Sequence, residues 1–269
     1  MSAAARTPRT RAATAAAAAA ALLCWCAAAV AGTPLLIWPI DPVIAPGQQA
    51  AALWLENHGA APAVMQVRIF GWRQAGGEEL YQAQPAVLPS PPIATIAPGG
   101  RQLVRLISTQ PVPAGAEQAY RIFVDELPTP EADTAAPQGA SVKLQLRYAV
   151  PLFVYGAGAV PPASRSRDGV GVGGSDAAAL QPRLSWQAVL DAGRPALLLR
   201  NTGTAHARVT AVEWAAAAGA PGQSINPGLL GYVLAGSSMR FPLEQPVPRN
   251  AALRAQLNGR PADIPRAAD

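Results

Sequence analysis

Apolar and polar side chains alternate along residues 141–155, whose sequence is S-V-K-L-Q-L-R-Y-A-V-P-L-F-V-Y. Alternation with period two predicts a β-strand with one buried face. A turn-rich run, Pro128 to Gly139, precedes the strand and a glycine-rich run from Gly156 follows it, so we expect it to be the last strand of its domain. Such a strand can lie at a sheet edge, where an apolar row is either covered by the chain itself or reserved for a strand of another chain. The row consists of Val142, Leu144, Leu146, Tyr148 and Val150.

In the rest of the chain, proline and glycine separate short apolar runs about every ten residues. This pattern is typical of an all-β protein. Apart from the N-terminal segment, no stretch keeps a helical period of 3.6 residues. Before the row above, strands are predicted at Leu35–Ile40, Gln49–Glu56, Ala63–Trp72, Leu80–Tyr81, Ile93–Ile96, Arg101–Ile107 and Tyr120–Leu127. After it, they are predicted at Leu184–Leu190, Ala196–Asn201, Ala207–Trp214, Gly231–Ala235, Met239–Leu243, Leu253–Leu257 and near Ile264.

Residues 156–182 separate the two series of strands. They contain Pro161-Pro162, the run Gly169 to Gly174 and several serines, a composition that buries little surface and predicts a flexible linker. The sequence therefore predicts two β-sandwich domains, residues 32–155 and a smaller one at residues 183–269, with a mobile loop at residues 128–139.

The N-terminal segment, residues 1–31, has the form of an export signal. Arg6, Arg9 and Arg11 precede an alanine-rich apolar run, and small residues stand before the expected cleavage point at Gly32. A retained lipid anchor at Cys24 is the alternative, but Leu23 stands where a lipoprotein signal usually has a small residue.

Removal of residues 1–31 changes the composition of the chain. Both cysteines leave with it, so the remaining 238 residues contain no disulfide and no thiolate. Basic side chains fall from 21 to 18 against 16 acidic ones, which leaves a net charge of +2. A nucleic-acid partner is therefore not expected, because phosphate binding needs a clustered basic excess.

Candidate chemistry is sparse. We interpret His58 and His206 as solvated loop residues, because neither has the neighbours of a general base. The glycine run after Val170 lacks the strand and lysine of a phosphate loop, and two separated histidines give no metal site. Asp125 and Glu126 point to opposite faces of a strand. We therefore expect no enzyme activity, catalytic residue, metal, cofactor or small-molecule substrate.

Four segments, taken in order, resemble the periplasmic pilus-assembly chaperones of the PapD-like family, in particular its archaic, spore-coat-U-type branch. The block Y-R-I-F-V-D-E-L-P at residues 120–128, followed by a loop and the 141–155 strand, is similar to the corresponding block of that family. Residues 52–59 (A-L-W-L-E-N-H-G) resemble its second strand and turn, residues 88–107 its proline-rich crossing and following strand, and residues 227–243 a segment of its second domain. The resemblance extends from Leu36 to Leu257.

The resemblance implies two immunoglobulin-like β-sandwich domains and a periplasmic chaperone. Such a chaperone captures pilin-like subunits, lends the apolar row of its last first-domain strand to complete each subunit, and delivers the subunit to an outer-membrane usher. A secreted two-domain β-sandwich with a structural or adhesive role is the alternative, and a hydrolase is a third class. Availability of the row from Val142 to Val150 in the free protein distinguishes the first two.

Pro42 and Pro151 depart from the family pattern. They stand where the best-known members have an arginine and a lysine that hold the terminal carboxylate of the subunit, and proline offers neither charge nor N–H. Arg147 is the leading substitute, because it lies on the same strand with the same side-chain parity as Pro151. Arg105 and Arg121 are further candidates. Alternatively, all three arginines are solvated or paired with neighbours such as Asp125.

Overall fold

The computed structural model describes residues 34–128, 145–162, 180–215, 222–248 and 251–267. Every regular element among these residues is a β-strand, and none of them forms a helix long and apolar enough to cross a membrane. The strands of the first sandwich are β1 (Leu35–Trp38), β2 (Val43–Ile44), β3 (Ala50–Asn57), β4 (Ala63–Ala75), β5 (Glu78–Ala83), β6 (Val87–Ser90), β7 (Ile93–Ile96), β8 (Arg101–Ser108), β9 (Glu117–Leu127) and β10 (Arg147–Tyr155). Those of the second are β11 (Leu184–Asp191), β12 (Arg194–Asn201), β13 (Ala207–Ala215), β14 (Gln223–Val233), β15 (Ser238–Pro242), β16 (Ala252–Leu257) and β17 (Arg260–Ile264).

The first sandwich packs a four-stranded sheet, in the order β1-β3-β8-β6, against a six-stranded sheet in the order β2-β10-β9-β4-β5, with β7 also paired to β4. Alternation places one face of each strand inside. On β4, Ala63, Met65, Val67 and Ile69 are buried while the residues between them are partly exposed. Each large apolar side chain withdrawn from water in this way contributes roughly 1.5–3 kcal/mol.

The second sandwich packs the sheet β11-β12-β15 against the sheet β14-β13-β16-β17. Its core includes Trp186 and Trp214, whose ring centroids lie 5.3 Å apart. The predicted fold class, two immunoglobulin-like β-sandwiches, is confirmed by this arrangement.

A buried asparagine closes the same type of turn in both sandwiches. The Asn57 amide donates to the Ala61 carbonyl and to the Ile96 carbonyl on β7 of the opposite sheet, both at 2.9 Å, and accepts from the Gly59 N–H at 2.8 Å. The Asn201 amide donates to the corresponding two carbonyls at 2.8 and 3.0 Å and accepts from the Gly203 N–H at 2.9 Å. The repeated Asn-x-Gly therefore supplies internal partners for backbone groups that would otherwise be buried unpaired.

Two strands were not predicted from the sequence. The two-residue β2 is too short to show a period, and β6 contains Pro89 among further prolines, which conceals its pattern. Proline is tolerated there because β6 lies at the edge of its sheet. In the second sandwich, β14 begins at Gln223 rather than at Gly231, since register shifts against β13 interrupt its alternation.

The predicted linker, residues 156–182, is described only at its two ends. The Leu180 N–H donates to the Val160 carbonyl at 2.9 Å, so the two described ends of this segment lie next to each other. The predicted export signal and the predicted loop at residues 129–139 lie outside the described residues.

Candidate functional site

Strand β10 lies between β9 and the short β2 in the six-stranded sheet. It pairs antiparallel with β9 along its whole length, from Arg147 opposite Asp125 to Tyr155 opposite Glu117. Pairing with β2 involves only Phe153 and Val154. Along the rest of β10, no other strand of the described residues covers the second edge.

The apolar row predicted at residues 142–150 is divided by the structure. Val142 and Leu144 lie outside the described residues, and Leu146 is 37% exposed. Val150 is only 7% exposed and Tyr148 packs beside it against the core of the first sandwich. Val150 is therefore part of the chain's own core, Tyr148 packs partly against that core, and Leu146 is the most accessible described residue of the row. The assignment of the row to subunit binding stays a prediction.

The uncovered edge of β10 carries backbone groups that point away from β9. The Glu126 N–H donates to the Leu146 carbonyl, so even-numbered residues of β10 direct their N–H and C=O groups toward β9. Odd-numbered residues direct theirs outward, as the bond from the Phe153 N–H to the Pro42 carbonyl shows. Arg147 and Ala149 thus present N–H and C=O groups on an edge that no strand of the described residues covers, whereas Pro151 is buried. Proline fits at this position because its missing N–H belongs to that edge.

Arg147 lies on the outer face of the sheet and is tied to its cross-strand neighbour. Its Nε donates to Asp125 Oδ1, while Nη2 of Arg68 donates to Oδ2 of the same carboxylate at 2.8 Å. Burial alone would raise the pKa of Asp125, but the two arginines outweigh it and hold that pKa below its usual value. This agrees with the alternative in which Arg147 is paired within its own sheet.

The other two candidate arginines lie in different environments. Arg105 is exposed on β8, in the four-stranded sheet that does not contain β10. Arg121 is 7% exposed and lies directly opposite Pro151 across the β9–β10 ladder. Its Nη2 donates to Glu79 at 3.0 Å and its guanidinium lies 3.7 Å from the centroid of Trp72, while its buried Nε has no partner among the described residues.

A buried carboxylate joins the two sandwiches close to the end of β10. Glu117, whose side chain is 3% exposed, accepts from the Tyr155 hydroxyl and from the backbone N–H of His206, both at 2.8 Å. His206 Nδ1 lies 2.8 Å from Glu117 Oε2, and the imidazole stacks on Phe153 with 3.5 Å between centroids. Burial and the Glu117 carboxylate raise the pKa of Tyr155, so its hydroxyl remains a donor. The prediction that His206 is a solvated loop residue is wrong, because it is part of the contact between domains; His58, with a side chain 53% exposed, is solvated as predicted.

Gln74 makes a second contact between the sandwiches. Its buried amide donates to the Tyr232 carbonyl at 2.9 Å and accepts from the Leu234 N–H at 2.8 Å, so it forms two hydrogen bonds with the backbone at the C-terminal end of β14. Neither Gln74 nor Glu117 was singled out from the sequence. Both lie in strands whose alternation predicts only that one face is buried. The second sandwich, which covers these two side chains, is a distant part of the chain and leaves no signal in the local sequence.

The first sandwich matches a known family. The protein-family model described as "Pili and flagellar-assembly chaperone, PapD N-terminal domain" matches residues 43–158. A solved complex from the archaic chaperone-usher Csu pili of Acinetobacter baumannii, between the chaperone CsuC and the tip adhesion subunit CsuE, includes a chain that is 31% identical to this one. The match covers 87% of this chain and 100% of that chain, with a TM-score of 0.66. This chain belongs to the PapD-like family of pilus-assembly chaperones.

More distant chaperone structures show the same fold. The Pseudomonas aeruginosa chaperone CupB2 is 16% identical over 87% of this chain and 100% of that chain, with a TM-score of 0.50. A Salmonella enterica complex of the SafA pilin with the SafB chaperone matches at 13% identity over 88% of this chain and 97% of that chain, with a TM-score of 0.55. Comparison with curated protein sequences finds no match. The predicted family is therefore confirmed, and proteins of this family are periplasmic.

Proposed function

We propose that this chaperone, exported to the periplasm by residues 1–31, binds pilin-like subunits by strand addition along β10 and passes them to an outer-membrane usher. The free edge of β10 is the observation that carries the proposal. At Arg147 and Ala149 it offers two N–H and two C=O groups in the plane of a sheet. Backbone groups of this kind accept an added strand whatever its sequence.

Apolar side chains supply the energy of this contact. Leu146 is accessible at the start of β10, and Val142 and Leu144 continue its parity in the sequence. Each of these side chains, if withdrawn from water in a groove of the subunit, contributes roughly 1.5–3 kcal/mol. The subunit is released when a strand of another pilin replaces the chaperone strand at the usher, and this exchange needs no nucleotide hydrolysis.

A double substitution tests the apolar contact. Leu144→Asp with Leu146→Asp places two carboxylates in an apolar groove, which costs several kcal/mol, whereas in the free protein at least Leu146 borders water. We expect the variant to fold and to lose capture of a co-expressed pilin in a pull-down. Leu190→Asp is the matched control, because Leu190 is 74% exposed on β11 of the second sandwich. Normal yield of complex from the folded double variant contradicts the proposal.

Ala149→Pro tests the backbone contact separately. The Ala149 N–H points outward, so proline removes a donor from the free edge while the ladder with β9 keeps its hydrogen bonds. Pro151, two residues later, shows that this strand accommodates proline. We expect weaker capture with little loss of stability, and capture equal to wild type excludes strand addition at this edge.

Within this proposal, Arg121 becomes the leading candidate for holding the terminal carboxylate of the subunit. It faces Pro151 across the ladder, where cross-strand Cβ atoms lie about 4.5–5.5 Å apart. Arg147 lies four residues before Pro151 and is paired with Asp125, and Arg105 lies on the other sheet. Arg121 is paired with Glu79, so a subunit carboxylate would have to replace Glu79 as its partner.

The test of this anchor compares Arg121→Gln, Arg147→Gln and Arg105→Gln for capture of intact pilin and of pilin with an amidated C-terminus. We expect Arg121→Gln alone to remove the preference for the free carboxylate. An unchanged preference in that variant refutes the assignment, whatever its effect on overall stability.

A further inference from the structure

Ala149 leaves a recess on the outer face of the six-stranded sheet. Its methyl group is exposed, and along β10 it stands between Arg147 and Pro151 on the same face. Its cross-strand neighbour on β9 is Phe123, whose ring is only partly buried. Phe123 therefore keeps part of its surface accessible on the face that it shares with the small Ala149 side chain.

Aromatic and cationic groups hold the wall of this recess in place. The Phe123 ring makes edge contacts with Tyr81, at 5.2 Å between centroids, and with Phe70, at 5.6 Å. The Arg147 guanidinium lies 5.4 Å from the centroid of Phe123 and is fixed by Asp125. The wall is therefore ordered before any partner arrives.

We propose that this recess, the Ala149 subsite, receives an aromatic side chain from the strand that a bound subunit lays along β10. The inference rests on the proposed strand addition and specifies which side chain that strand carries on its outer face. An added strand lies about 4.8 Å from β10, and its residue opposite Ala149 has its Cβ about 4.5–5.5 Å from the Ala149 methyl. An aromatic ring at this position of the added strand extends over the Ala149 methyl group and contacts the Phe123 ring, in the offset or edge geometry that aromatic pairs prefer.

The charges beside the recess define its partner further. Arg147 and Arg68 share the single carboxylate of Asp125, so the group keeps one net positive charge. Arg147, whose side chain is 59% exposed, lies at the free edge, two residues before Ala149. The added strand therefore favours an acidic side chain opposite Arg147, two positions from its aromatic residue, because opposite charges attract across neighbouring strands.

Thiol labelling tests the subsite in the mature chaperone, whose sequence after residue 31 contains no cysteine. A149C is modified with reagents that add a methylthio, a benzyl or a bimane group, and each product is tested for capture of the pilin subunit that co-purifies with the wild-type protein. The matched control is A52C, because Ala52 is an exposed alanine on β3 of the opposite sheet. We expect capture by labelled A149C to fall at least about tenfold as the group grows to benzyl size, as for blocked hot-spot contacts, and capture by labelled A52C to stay constant.

The rate of thiol modification gives a second readout. The A149C thiol should react at least about tenfold more slowly in the complex than in the free protein, whereas the A52C thiol should react at the same rate in both. Equal rates at A149C overturn the subsite, as does full capture by the benzyl-labelled protein. Ala149→Pro separates the two proposals: if it abolishes capture while benzyl-labelled A149C captures normally, strand addition stands and the subsite fails. If Ala149→Pro captures normally, strand addition itself fails.

Discussion

The division of the apolar row between Leu146 and Val150 predicts opposite effects for two similar truncations. Val150 lies in the core of the first sandwich and is 7% exposed, whereas Leu146 is 37% exposed at the start of β10. Val150→Ala should therefore destabilise the free chaperone and leave the surface that meets the subunit intact. Leu146→Ala should do the reverse.

The magnitudes follow from burial. Val150→Ala removes two carbon atoms at about 0.8 kcal/mol each and leaves a cavity, so we expect a loss of about 2–3 kcal/mol in the free energy of unfolding. Leu146→Ala removes three carbon atoms, but they lie at the edge of the structure, where substitutions usually change stability by less than about 1 kcal/mol. A difference of this size is easily measured, since it is a large fraction of the stability of a typical domain.

Urea unfolding followed by two-dimensional amide NMR is the suitable assay. The two sandwiches report separately in such spectra, which matters because a two-domain chain need not unfold in one step. Pull-down of a co-expressed pilin by each variant gives the second measurement. Equal destabilisation by the two substitutions refutes the division of the row, and so does loss of capture by a stable Val150→Ala variant.

Three further predictions concern buried polar groups. Asn57→Ala and Asn201→Ala should each destabilise their own sandwich by about 2–4 kcal/mol, because each substitution leaves several buried backbone groups without hydrogen-bond partners. Urea unfolding that resolves the two domains measures this loss of stability. The pKa of Asp125 is held below its ordinary value of 3.8, so its contribution to stability is complete well above that pH and is lost as pH falls below it; acid unfolding of Asp125→Asn should be shallower than that of the wild type. Glu117→Gln should lower stability by about 1–3 kcal/mol, and a double-mutant cycle with His206→Ala should show coupling, whereas additive effects contradict a direct contact.

Sequence patterns located most strands because period-two alternation depends only on which face of a strand is buried. The alternation of β4 and β9 is clear for this reason. The two-residue β2 leaves no such pattern, yet it decides where the free edge of β10 ends. Local sequence could not reveal that limit, since it arises from pairing between segments more than a hundred residues apart.

The candidate site was predicted in part. Alternation continues from Val142 to Val150, and a single row cannot show where the core of the chain stops and an accessible surface begins. Packing against the rest of the first sandwich sets that point between Leu146 and Val150. His206 was misread for a related reason, because its partner Glu117 lies in the other domain and no local pattern connects them.

Residue-resolved amide exchange of β10, free and bound to a pilin subunit, tests strand addition most directly. In the free protein the outward N–H groups of Arg147 and Ala149 should exchange quickly, while those of Tyr148 and Val150, which point toward β9, should be protected. On binding, Arg147 and Ala149 should become protected by hydrogen bonds to the added strand. Fast exchange of these two amides in a stable complex contradicts the account, because the subunit would then be held by a surface other than the edge of β10.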